Sequence, residues 1–332
     1  MTTLVIGAGI AGLTAARALQ ERGHTVTVVD KGRAPGGRAS TRRVLNGDAD
    51  HPDLASLAFD HGTQYFTVRD AVFEAAVEQW HKARVVQLWH GKLASFDSEG
   101  REPVEDDHAR WVGVPGMSAI GRHLARDLDV RCGVHIASLK RDVHARWFAS
   151  STASETLGPF DAMVVSTPAP QALPLVAASS RLSAAIGTVR MHPCWAVLVA
   201  FNEPVATRFD AAYVTSSPLA WIARDRSKPR RGLAETWVLH ASAAWSTAHV
   251  ADGPDAVGPF LLNAFADLVR ARLPLPAYVG AHRWRFACAE PGLNVGALAD
   301  PELRLFVCGD WCAGNRVEGA FLSGVAAAQH VA

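Results

Sequence analysis

Apolar positions follow one another in distinct rhythms from the first residues onward. "TLVI" at 3–6 is a short apolar block, "IAGLTAARALQERG" at 10–23 places its apolar residues on one helical stripe, and "TVTVV" at 25–29 alternates. The order predicts a strand, a glycine turn, an amphipathic helix, a Gly-His turn and a second strand. Further on, "DVRCGVHIASLKRD" at 129–142 predicts one strand, and "DAMVVSTPAP" at 161–170 predicts a buried strand ending at Thr167-Pro168. "PCWAVLVAF" at 193–201 and "ETWVLHAS" at 235–242 are rich in β-branched and aromatic residues and predict strands of an antiparallel sheet with covering helices. "LFVC" at 305–308 predicts a last short strand, and the stretch from Arg316 a last helix. No repeat or low-complexity tract interrupts the pattern.

Length and composition narrow the class. The 332 residues suffice for two modest domains, or for one large domain carrying an inserted module. With 33 basic and 32 acidic residues and a net charge of +1, neither nucleic acid nor an anionic membrane is the expected partner. No stretch is long and apolar enough for a transmembrane helix. Met1-Thr2-Thr3 leads straight into a strand without a basic n-region, so no secretory signal is expected and a cytoplasmic location is. Five scattered cysteines, an odd number, predict reduced thiols rather than a disulfide framework. Cys308 and Cys312 lack redox spacing and a second ligand pair, so no metal is expected.

The glycine turn carries the first chemistry. Gly7, Gly9 and Gly12 stand in G-x-G-x-x-G order between a strand and a helix. Such a turn lets backbone approach a pyrophosphate, which then meets the unpaired N–H groups of a helix start. Asp30, 18 residues beyond Gly12, is placed for adenosine ribose hydroxyls. This fingerprint predicts dinucleotide binding without deciding between NAD and FAD.

Three further features favour FAD. "KGRAPGGRAST" at 31–41 holds Gly36-Gly37-Arg38, suited to a second pass of backbone and guanidinium over the diphosphate. "FDHGTQYFT" at 59–67 is a glycine turn flanked by aromatics, suited to lying along a planar ring. At the other end, Gly309-Asp310 follows a strand, and Arg316-Val317-Glu318-Gly319 opens a helix. Asp310 can bind a ribityl hydroxyl, and the helix start can aim its positive end at the flavin N1–C2=O edge.

Together these pieces resemble the flavin-dependent monoamine oxidase superfamily, and within it the renalases, the bacterial ones above all. The segments that carry the resemblance include GAGIAGL, DKGRAPGGR, DHGTQYFT, WVGVPGMSAI, VVSTPAPQA, WIARDRSKP, AHRWRFA and CGDWCAGNRVEGAFLSG. The resemblance implies an α/β fold: a Rossmann-type FAD-binding domain, of the amine oxidase/p-hydroxybenzoate hydroxylase type, with an inserted α+β substrate domain. Segments 1–66, 112–170 and 296–332 are expected to form the FAD-binding domain, and 67–111 and 171–295 the substrate domain. FAD is expected to be held without a covalent link. Beside the residues named above, the expected cofactor contacts are Ala11, Lys31, Gly62, Thr63, Gln64, Tyr65 and Val317, with Ile136 giving its backbone to the adenine. The implied activity is oxidation of stray NAD(P)H isomers, reduced at the 2- or 6-position of the nicotinamide, with O2 converted to H2O2. One departure from the family is the longer "LNGDADHPDLASLAF" at 45–59, expected to be a surface insertion.

Oxidising a dihydropyridine removes hydride and leaves an aromatic pyridinium, so no proton need be abstracted first. No Ser-His-Asp triad or carboxylate pair is expected, and Lys31 and Lys228 lie in loops unsuited to a flavin-side lysine. Candidates for the substrate pocket are Gln64, Tyr65, His282 and Trp284, with Trp195, Trp221 and Trp237 behind them. His282 can equally orient a substrate carboxamide or be a satisfied buried histidine. The basic loop "ARDRSKPRRG" at 223–232 can be a solvated loop or a phosphate clamp. The rival activities are an amine oxidase or desaturase and a non-catalytic flavin carrier. Which isomer is preferred, whether the phosphorylated form serves, and the oligomeric state stay open at this level.

Overall fold

A computed structural model describes residues 1–45, 52–97, 101–103 and 108–331. Its first sheet is built where apolar runs are densest. Strands β1 (Thr2–Ile6), β2 (Thr25–Asp30), β9 (Asp129–Cys132), β13 (Ala162–Val165) and β20 (Leu305–Val307) are parallel, and β19 (Leu298–Asp300) adds an antiparallel edge, in the order β19-β20-β13-β1-β2-β9. Every residue of β13 is buried, as strands covered on both faces require. Val5, Val28 and Val164 pack with helix α1 (Ile10–Glu21) on one side. Leu4, Ile6, Met163 and Val165 point to the other side, against Trp147 and Leu157.

That second side is covered by an antiparallel meander of β10 (Ile136–Arg141), β11 (Trp147–Ser151) and β12 (Thr156–Phe160). The single strand predicted over 129–142 is therefore two. Gly133, at φ +80°, breaks it, and its amide donates to Gly32 (2.9 Å), so β9 stays in the parallel sheet while β10 leaves it.

The second sheet runs β18-β14-β17-β16-β15-β6-β7, from β6 (Leu93–Phe96), β7 (Arg101–Pro103), β14 (Met191–Phe201), β15 (Ala211–Val214), β16 (Leu219–Arg224), β17 (Glu235–Ala241) and β18 (Pro276–Ala289). Alternation along β14 divides its two faces. Trp195, Val197, Val199 and Phe201 pack with Trp237 and Leu239 of β17 under Leu261 and Phe265. The intervening Leu198 and Ala200 face the hairpin of β3 (Arg42–Leu45) and β4 (Ser56–Phe59). Of the expected surface insertion, 46–51 lies outside the described residues. The rest is only partly on the surface: Leu45 and Ser56 are exposed, but Leu54, Leu57 and Phe59 are buried against this sheet. A further pair joins β5 (Val86–Leu88) to β8 (Trp111–Gly113).

The helices after α1 are α2 (Pro52–Ala55), α3 (Ala71–Lys82), α4 (Ser118–Leu124), α5 (Ala169–Ala172), α6 (Ser180–Gly187), α7 (Ala243–Ala248), α8 (Pro254–Val269) and α9 (Val317–His330). Leu261 and Phe265 belong to α8. Helix α3 falls in the segment assigned to the substrate domain, yet Phe73 and Trp80 meet Phe321 of α9 at 5.3 and 5.8 Å and share the core of α1. No described helix is long and apolar enough to cross a membrane.

Candidate functional site

One cavity of about 1280 Å3 lies between the two sheets, above the roughly 300–1,000 Å3 of ordinary small-molecule sites. It opens at the C-terminal ends of β1, β2 and β13, where parallel sheets place their ligands. Gly7, Gly9, Ala11, Asp30, Lys31, Arg38, Gly62, Thr63, Gln64, Tyr65, Ile136, Gly309, Asp310, Arg316 and Val317 all line it, as do His282 and Trp284. Gly12 does not line it. A Cβ there would stand 2.0 Å from the Gly7 carbonyl oxygen, so Gly12 is spent on packing the turn.

The turn itself is shaped for a ligand. Gly7 takes φ +114°, and a Cβ on it would collide with Ser166 O at 2.3 Å. A Cβ on Gly9 would meet nothing within 4 Å: that side of the turn faces open cavity. Gly9 also caps α1 without a side chain, leaving the first-turn amides to an outside acceptor. Arg316 caps α9 in the same unassisted way, so two helix starts border one cavity. The second glycine loop runs beside the first, joined by a bridge between Gly9 and Gly36. These features fit a long dinucleotide: the amides at the start of α1 would take its diphosphate and those at the start of α9 would meet its far end.

Polar residues on the wall are held firmly. Asp30 accepts the amides of Ala8 (2.6 Å) and Gly32 (2.5 Å), which ties the two turns together. Arg38 donates to both carboxylate oxygens of Asp310 (2.9 and 2.6 Å) and to Ala287 O (2.9 Å). Residues expected to contact different parts of the cofactor thus form a bidentate pair.

On the side of the second sheet, register explains the wall. Ala196 pairs with His240 on β17 and with His282 on β18, so both imidazoles flank it in one row. His61, His282 and Trp284 form a ring cluster with centroids 4.5 to 4.9 Å apart. The His61 carbonyl accepts from Trp284 Nε1 (2.9 Å) and pairs with His240 Nε2 (3.1 Å). Burial, then the neighbouring His282, pulls His61 down to about 3, and burial pulls His240 down to about 4. His282 is lowered too, by burial and then by Arg42. All three are neutral imidazoles near pH 7. His282 is half-buried, its ring touches His61 and Trp284, and it lines the cavity, a placement that suits the orienting reading.

Tyr65 faces Trp221 at 5.5 Å, and its hydroxyl meets that of Tyr213. Burial, then this contact, raises the Tyr65 phenol. Trp221 and the largely buried Trp195 both line the cavity, and Trp237 is fully buried core.

The basic loop at 223–232 is solvated only in part, at Arg226 and Arg230 among its basic residues, and none of it lines the cavity. Lys228 has no exposed side-chain surface and Arg231 only 4%, and both turn inward onto Asp60 and Asp225. Asp60 and Asp225 are both buried around Lys228, which lies behind the wall and reaches it only through Gln64. Neither carboxylate lines the cavity. His240 and Tyr213 escaped the sequence reading. The signal for His240 was its phase in "ETWVLHAS", opposite to that of Trp237.

Comparison with known proteins adds the following. A family model described as flavin containing amine oxidoreductase matches residues 94–332, and one described as NAD(P)-binding Rossmann-like domain matches residues 5–79. The chain is 40% identical over 106 residues to hydroxyneurosporene desaturase of Rubrivivax gelatinosus, covering 30% of this chain and 18% of that protein. A shorter stretch, 42% identical over 57 residues, matches lysine-specific histone demethylase 1 homolog 1 of Oryza sativa subsp. japonica and covers 17% of this chain and 7% of that protein. The chain thus spans under a fifth of the length of these curated relatives. Among solved structures, a putrescine oxidase variant superposes with a TM-score of 0.74 at 13% identity over 100% of this chain and 99% of that one, a likeness of fold.

Proposed function

This chain belongs to the flavin-containing amine oxidoreductase family and binds FAD, and on that footing we propose that it oxidises misreduced isomers of NAD(P)H. The substrates would be 1,2-dihydro- and 1,6-dihydro-NAD(P), the products NAD(P)+ and, with O2 as acceptor, H2O2. Bound FAD supplies a hydride acceptor at its central ring.

The observation that carries this reading is the charge of the cavity. Beyond the residues expected at the cofactor, its wall holds, among the described residues, Arg69, Arg110, Arg283 and Arg285 against Asp252. A basic approach draws in a substrate with a diphosphate and repels the ammonium form of an amine. The volume beyond ordinary ligand sites leaves room for a second molecule beside FAD. The neutral histidines suit the chemistry as well. The nicotinamide ring becomes cationic as it loses hydride, and an imidazolium beside it would oppose that charge, whereas neutral His240 and His282 can orient a carboxamide without doing so. Gln64, Tyr65 and Trp284 would complete the wall against which the ring is held.

Anaerobic mixing with 2-, 4- and 6-dihydro-NAD(P), followed by flavin absorbance, tests the reading. Fast bleaching by the 2- or 6-isomer is expected; bleaching by the 4-isomer alone rejects it. A second reading, an amine oxidase or desaturase, is favoured by the aromatic wall of Tyr65, Tyr213 and Trp221. Bleaching by primary amines and by no dihydronicotinamide would establish that one. A flavin that no donor bleaches would point to a carrier.

A further inference from the structure

Beneath the turn from Gly62 to Tyr65 lies a group of buried ions that the chemistry above does not use. Lys228 donates to Asp225 Oδ1 at 2.5 Å and to Gln64 Oε1 at 3.1 Å, and lies 3.6 Å from Asp60. Its amine also stands over the Trp89 ring, 5.8 Å from the centroid. The other oxygen of Asp225 accepts the Asp60 amide at 2.7 Å. Asp60 in turn accepts Arg231, the Thr41 hydroxyl (2.7 Å) and the Met117 amide (2.9 Å). Burial opposes ionisation of Asp60, but Lys228 and Arg231 outweigh it and hold the carboxyl below its usual range.

Burying four charges at a seam is a costly way to join two sheets, because apolar residues of equal volume would do so with less desolvation. The arrangement therefore calls for a use that apolar packing lacks. Of the four ions, Lys228 is the one that reaches a residue of the cavity wall, and that residue is Gln64. The Gln64 amide is specified at both ends. Its NH2 donates to Asp60 O and, at 3.4 Å, to Gly62 O, while its carbonyl oxygen is held by Lys228. A flipped amide would set two donors against each other at Lys228 and two acceptors at Asp60.

We propose that Lys228 is the positioning residue of the flavin-facing turn: by holding Gln64 Oε1 it fixes which end of that amide borders the FAD cavity, and so tunes the cofactor beside it. Asp60, Asp225 and Arg231 keep the buried amine in place. The proposal rests on FAD binding and not on the identity of the electron donor, so its test needs no substrate.

The test is a mutant cycle on the FAD-loaded protein, read by the visible flavin spectrum and by redox titration. Gln64→Leu leaves the ion group whole. It should alter the spectrum and shift the reduced-to-oxidised ratio at fixed potential on the order of tenfold, the size of a contacting-pair coupling. The paired variant Asp225→Asn/Lys228→Met removes one charge of each sign, keeps the seam balanced, and should give a shift of the same direction and size. Added to Gln64→Leu, the paired change should move the ratio by less than about twofold. An unaltered spectrum and potential in Gln64→Leu overturns the proposal, whatever the paired variant does. So does a paired change of equal size with and without Gln64.

Discussion

At the scale of single residues, Asp310 joins the two ends of the chain through Arg38. Removing it takes away one acceptor facing the cavity and leaves a guanidinium with a lone carbonyl partner. Asp310→Ala should weaken FAD binding about tenfold, the worth of a hydrogen bond to a charged group. The ratio of flavin to protein absorbance after gel filtration checks this, and unchanged flavin content would count against any cofactor role for Asp310. Residues of this kind were legible in the sequence because their chemistry is local: a glycine spacing, a Gly-Gly-Arg, a Gly-Asp after a strand. Lys228, His240 and Tyr213 were not. Lys228 sits in a run of arginines that looks like a wet loop until Asp60, 168 residues earlier, is folded against it. Its meaning lies in a contact that spacing does not encode.

At the scale of elements, the tight joint is α1 against α9. A Cβ on Gly324 would stand 2.3 Å from the Ala11 carbonyl oxygen, and neither backbone can yield without moving a helix start that borders the cavity. Gly324→Ala should therefore cost about 1–3 kcal/mol and lower Tm by several degrees. Gly187, in α6 with nothing within 4 Å, is the control: Gly187→Ala should hold or raise Tm. Equal Tm values for the two variants would refute the close-packing account. Strand identity was readable wherever apolar runs were dense, as in β13, β14, β17 and β20. The break between β9 and β10 was not, because a lone glycine within an alternating run suits a bulge as well as a parting of two sheets. The burial of Leu54, Leu57 and Phe59 was missed for a related reason: an insertion relative to relatives carries no sign of the surface it covers.

At the scale of the whole molecule, the neutral histidines link stability to pH. The folded values for His61 and His240, about 3 and about 4, lie below the ordinary 6.5 of the unfolded chain. As pH falls below 6.5 the unfolded chain takes up protons that the folded one refuses, so stability is level above that point and declines toward pH 4. Burial holds Asp225 above the usual carboxylate range, and its titration works in the opposite sense. The informative comparison is therefore with His240→Gln, whose Tm should fall less steeply between pH 6.5 and 5. A parallel decline in both proteins would dismiss the histidine account.

The order of the parallel sheet has a bearing on how the protein is made. Strand β1 precedes its neighbour β13 by 159 residues, Thr3 pairing with Ala162, and β20, paired to β13, begins only at Leu305. Until β20 and α9 are made, the face of α1 that α9 covers is bare and the cleft lacks its far wall, while every strand of the seven-stranded sheet has already been synthesised. Long-range pairing of this kind is slow and exposes the growing chain to aggregation. Capture of the cofactor is thus expected to wait for synthesis of β20 and α9 rather than to follow the early appearance of the glycine-rich turn.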